Sequence, residues 1–90
     1  MDDVFELPAI RPDDYRAFRD IPTRDLPNTY DEWLQLVAKR RLERGQAGFV
    51  VVDIQIEPHE FARYLSRMRH DGNLKSLADF CKEKRLANNF

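Results

Sequence analysis

Residues 48–61 read GFVVVDIQIEPHEF, and this stretch decides the fold. From Val50 onward the alternate positions Val52, Ile54 and Ile56 are apolar, while the intervening Val51, Asp53, Gln55 and Glu57 turn polar along their length. Such period-2 alternation predicts a strand with one buried face. Pro58 ends the strand and suits the first turn of a helix. A strand carries N–H and C=O groups along both sides, and each buried orphan costs about 1–3 kcal/mol. The segment must therefore find a mate.

After the strand, Phe61, Leu65 and Met68 recur at helical spacing with Ala62 and Tyr64 beside them, and Gly72 is placed to close that helix. Asn73 is a good N-cap for a further helix, whose apolar stripe is Leu74, Leu77, Ala78 and Cys81, widened by Phe80 and Leu86. Before the strand, Thr29 and Glu32 fit a capping box. The helix they open reads Tyr30, Leu34, Val37, Ala38 and Leu42 as its apolar stripe with Trp33 alongside, and Gly45 as its stop. Lys39, Arg40, Arg41 and Arg44 gather at its carboxyl end, where the helix dipole favours cations.

Residues 1–28 differ from the rest. They hold Pro8, Pro12, Pro22 and Pro27, four of the five prolines, which disfavours long regular elements. Residues 1–32 carry nine acids and four bases, a net of −5, whereas residues 33–48 carry four bases and one acid, a net of +3. The segment is thus expected to be a Pro-rich acidic arm, partly ordered, with two or three helical turns at RPDDYRAFRD and a short edge strand at DVFEL as one option. The expected organisation is arm 1–28, one α+β domain at 29–87, and a frayed tail at 88–90.

Three mates are open to the strand: DVFEL, the same strand of a second copy, or a strand of another protein. The leading expectation is a homodimer in which Val50, Val51, Val52, Asp53, Ile54, Gln55 and Ile56 pair antiparallel across a two-fold axis. Ninety residues bury only roughly 60% of their unfolded surface, so a partner would help.

The chemistry-bearing residues are few. HEFAR lacks the second histidine of a zinc-protease helix, and His59 and Glu60 fit a first helical turn. His70 and Asp71 fit a helix end. Cys81, the single cysteine, lies on an apolar stripe and reads as a buried small hydrophobe. No Gly-rich phosphate loop is present. These features predict no enzyme, no metal and no cofactor. One cysteine, an acidic start and no apolar run near about 20 residues point to a cytoplasmic protein without a targeting peptide or membrane span.

Two resemblances bear on this reading. YDEW at a helix start, followed by VVVDIQIEPHEF, resembles small bacterial proteins that share a Tyr-acid-acid-Trp box and a strand ending in Pro-x-Glu-Phe, a group with no activity attached. The order VDIQI, PHEFARYLSRM, GNLKSLADFCKEK is also similar to a ribbon-helix-helix DNA-binding fold. That likeness would direct Val51, Asp53 and Gln55 to bases and Asn73, Lys75 and Ser76 to phosphates. Asp53 departs from it, since a carboxylate there would meet phosphate charge. The function expected first is a non-enzymatic interaction or accessory module working through protein contacts; the alternative is a ribbon-type transcriptional regulator, with nucleic acid the less favoured partner.

Overall fold

A computed structural model describes residues 3–21, 25–69 and 71–87. Val4–Ala9 form strand β1; a 3₁₀ turn at Pro12–Asp14 leads into helix α1, Tyr15–Asp20; and helix α2 spans Tyr30–Gln46. Strand β2, Val50–Gln55, is followed by helices α3, Pro58–Met68, and α4, Leu74–Ala87. The class is α+β, as expected, with a two-stranded sheet among the described residues.

The mate of β2 is β1. Val4 stands opposite Val50 and Ala9 opposite Gln55, in parallel register. Of the three mates open to β2, this edge takes the N-terminal segment that contains DVFEL, so β2 is not the single strand expected. Parallel neighbours need a long crossover, and residues 10–49 supply it through α1 and α2. The boundary at residue 28 does not separate arm from domain in packing, because Leu7, Ile10, Tyr15, Phe18 and Leu26 are all buried with the rest of the core.

Partners in a parallel ladder recur every second residue. Val50 N donates to Asp3 O at 2.7 Å and Ile56 N to Ala9 O at 3.1 Å. Odd residues of β1 and even residues of β2 therefore turn their backbone groups toward each other. Val4, Glu6 and Pro8 turn theirs to one open edge; Val51, Asp53 and Gln55 turn theirs to the other. Pro8 is tolerated because the missing N–H faces away from the ladder.

Helices pack on both faces of the sheet. α2 packs on both strands, on the face carrying Phe5, Leu7, Val51 and Asp53: Arg41 is paired with Asp53, and the Arg44 guanidinium lies 4.6 Å from the Phe5 ring centre. α4 covers the opposite face, where Arg85 meets Glu6. The centre is aromatic, with Phe61 5.8 Å from Phe80 and 6.1 Å from Phe18, and Tyr15 edge-on to Tyr30 at 5.5 Å. Tyr15 and Tyr30 donate their hydroxyls to Pro27 O and Ile10 O, tying the crossover to α2.

Several details depart from the periodic reading. Leu34 and Leu42 are exposed, the latter 63%, because α2 turns Trp33, Val37 and the stems of Arg40 and Arg44 to the sheet. Val50 is 60% exposed, whereas Ile56 is fully buried, so the apolar face of β2 is covered only toward its end. Met68 and Leu86 are exposed. α2 runs through Gly45, and the chain reverses at Gly48, φ 95°. α3 is closed by Arg69 in the left-handed conformation, φ 55°, instead of by Gly72. His70 and the tail 88–90 lie outside the described residues.

Candidate functional site

The residues expected to form a partner strand, Val50 to Ile56, divide by their backbone direction. Val50, Val52, Ile54 and Ile56 are engaged with β1. Val51, Asp53 and Gln55 present their N–H and C=O groups to the open side, where no third strand stands among the described residues. One end of that row is closed: Lys84 Nζ donates to Gln55 O at 2.6 Å and to Glu60 Oε1 at 2.8 Å. What remains open is the short run Val51 to Asp53, with the Gln55 N–H beyond it.

The surroundings of this edge are partly apolar. On α2, Leu34 and Ala38 fall on the same side as Arg41, the flank nearer β2 that the Arg41–Asp53 pair marks, while Leu42 points away from the sheet. Leu34, Ala38 and Leu42 are all exposed. A Cβ on Gly45 would meet nothing within 4 Å, so the same flank is also open there. On the other sheet face, Val50 is exposed and Val52 half-buried. Isolated exposed apolar side chains are ordinary; here they border an unpaired strand edge.

The outer edge of β1 is built differently. It lies in a groove walled by Leu36, Val37, Leu74 and Ala78, and Pro8 leaves it one donor short. Glu6 is buried there, its Oε2 3.5 Å from Arg85 Nε with no hydrogen bond to either atom. Proline and an inward-facing charge are the means by which sheets blunt an edge. The β2 edge has no proline.

The residues proposed for DNA contact are distributed as follows. Gln55 and Lys75 are exposed. Asn73 and Ser76 are occupied with each other: Ser76 N donates to Asn73 Oδ1 and Asn73 N to Ser76 Oγ, both at 2.8 Å, and Ser76 is buried. Val51, Asp53 and Gln55 project on the face that α2 covers.

Among the described residues no three His, Cys, Asp or Glu side chains converge as a metal site. His59 is exposed, with Nε2 3.3 Å from Glu57 Oε2. Glu60 completes a capping box with Glu57, and its carboxyl is held below the usual glutamate range, chiefly by the hydrogen bond from Lys84. Asp71 is exposed and accepts through its carbonyl from Ser76 Oγ at 3.3 Å. Cys81 is fully buried, and desolvation, aided by the Glu6 charge, pushes its thiol up to about 12. A thiol so placed stays neutral and is a poor nucleophile. No described helix is long and apolar enough to cross a membrane.

No protein-family model matches the chain, and neither the curated proteins nor the solved structures provide a match. Sequence reasoning missed Lys84 and Arg41 as components of the edge. Their spacing from β2 carries no local signal, because both reach it only through tertiary packing.

Proposed function

We propose that this chain is an interaction module that binds protein by adding a strand to the open edge of β2, without catalysis of its own. The observation that carries this reading is the edge itself: among the described residues no strand pairs the outward backbone groups of Val51 and Asp53, which lie beside exposed Val50 and Leu34. Strand addition takes affinity from main-chain hydrogen bonds and specificity from the side chains around them. A second copy of the chain is the first partner to consider, and another protein the second.

The ribbon-type regulator fits less well. A ribbon enters the major groove with one face bare, and here α2 lies on the face bearing Val51, Asp53 and Gln55. The amides opening α4 are also engaged internally by Asn73 and Ser76.

A photo-crosslinking residue placed at Gln55, with one at Asp79 as the control, tests the proposal in cells that express the chain. A crosslinked protein adduct at Gln55, absent at Asp79 and lost on adding Val51→Pro, is the expected result. Equal labelling at both positions, or none, would overturn it.

A further inference from the structure

Resting on that reading of the β2 edge, we infer that its partner is a second copy of this chain, paired antiparallel about a two-fold axis at Val52, with Val51 opposite Asp53 of the twin. Antiparallel strands exchange both hydrogen bonds between residues that face each other with outward backbone groups. On β2 those residues are odd-numbered. Registers centred on Val51, Val52 and Asp53 then compete, and the first pairs Asp53 with Phe49, whose N–H is already given to Arg44 O at 3.0 Å.

Three features select Val52. The Asp53-centred register pairs Val51 with Gln55 and needs the Gln55 carbonyl, which Lys84 already holds at 2.6 Å. It also sets the two Asp53 side chains directly opposite, and like charges in that position are destabilising. The Val52-centred register uses only Val51 and Asp53 for its central bonds and staggers the carboxylates, each beside its own Arg41.

The side chains fit the same choice. On the sheet face away from α2, Val52 meets its twin and Val50 meets Ile54, so exposed Val50 is matched by an apolar β-branched partner. Such cross-strand pairs are favourable. On the other face the helices come together. Strands stand about 4.8 Å apart, and α2 lies over both strands of its own sheet. The two-fold axis therefore brings α2 and its twin to about 10 Å, within the spacing at which helices pack. The flanks that meet carry Leu34, Ala38 and Gly45, the small residues Ala38 and Gly45 permitting close approach. One operation thus closes two β2 edges into a four-stranded sheet and covers the exposed Leu34.

Sedimentation equilibrium of the purified chain, from low to several hundred micromolar, reads the mass. Twice 10.7 kDa is expected at the upper end. Val51→Pro and Ala38→Glu should each weaken self-association by at least about tenfold, with circular dichroism confirming that each variant keeps its helices. Val52→Cys reads the register. A non-hydrogen-bonded pair on the axis has Cα atoms about 4.5 Å apart, which a disulfide can span. Oxidised glutathione should therefore link two copies of this variant and leave the wild type, whose Cys81 is buried, unlinked.

A two-chain mass without the Val52→Cys link overturns the register. A two-chain mass indifferent to both Val51→Pro and Ala38→Glu places the dimer elsewhere and overturns the inference. A single-chain mass throughout overturns self-pairing; a crosslink at Gln55 to a different protein would still uphold the edge.

Discussion

The Lys84 ammonium lies 2.6 Å from the Gln55 carbonyl and 2.8 Å from the Glu60 carboxylate, joining α4, the end of β2 and the first turn of α3. Lys84→Met keeps the stem and removes both bonds. We expect a loss of about 1 kcal/mol, read by urea denaturation.

The same contact gives a pH signature. The Lys84 hydrogen bond is the leading cause that holds Glu60 below its ordinary value in the folded chain. A depressed folded value means that the stabilisation is present above the unfolded value and is lost as pH falls through the folded one. Stability of the wild type should decline on acidification below the ordinary glutamate range, and Lys84→Met should flatten that part of the curve. Parallel acid profiles for the two proteins would refute the assignment.

Glu6 and Arg85 predict a different outcome. Glu6 is buried on β1, and its partner Arg85 keeps 26% side-chain exposure. Removing one member of a buried pair leaves an uncompensated charge, whereas replacing both is often mild. Arg85→Ala should cost about 2–3 kcal/mol, below the fully buried range because Arg85 reaches solvent. Glu6→Met with Arg85→Met should recover to within about 1 kcal/mol of wild type. Additive losses in the denaturation midpoints would contradict a coupled pair.

Element boundaries were largely legible because they are local. Pro58 after the alternating run, Thr29 with Glu32, and Asn73 before Leu74 mark the starts of α3, α2 and α4, and Thr29 and Asn73 accept from the expected amides. The mate of β2 was harder to read. VFELPA contains a proline, which demotes a strand unless its nitrogen faces outward, and that depends on a register 46 residues away. The buried face of α2 was misread for another reason. Arg40 and Arg44 lie toward the sheet along their aliphatic stems, so hydropathy counts as polar what packing uses as apolar. Periodicity alone therefore turns Leu34 and Leu42 inward, where the structure leaves them exposed. The open edge was foreseeable as a segment, but its limits depend on Lys84, whose reach no spacing reveals.

Neighbouring positions in β1 should respond in opposite ways. Pro8 points its nitrogen away from β2, so Pro8→Val leaves the ladder intact and should change stability by less than about 1 kcal/mol. It restores a donor to an edge that proline had blunted, so greater aggregation on storage is expected. Leu7→Pro removes a donor that faces β2 and empties a site only 1% exposed. A loss of about 3 kcal/mol or more follows, enough to unfold a small domain at modest temperature. Thermal melts followed by circular dichroism distinguish the two, and a ranking with Pro8→Val the more damaging would reverse the assigned direction of the β1 backbone.

Cys81 offers the last test, because its burial and its chemistry point the same way. The side chain has no exposed surface, and the neighbouring Glu6 charge adds to desolvation in keeping the thiol protonated. Only thiolate reacts appreciably with disulfide reagents or iodoacetamide. Labelling at neutral pH should therefore be far slower than for a free cysteine, and its rate should rise with urea in step with unfolding. Glu6→Gln would lower the thiol value somewhat, so a modest increase in rate at alkaline pH is expected, with the urea midpoint moved down because Arg85 loses its partner. Fast labelling of the native protein would mean that α4 lifts from the sheet, exposing Cys81 and releasing the Lys84 clamp on Gln55 at the same time.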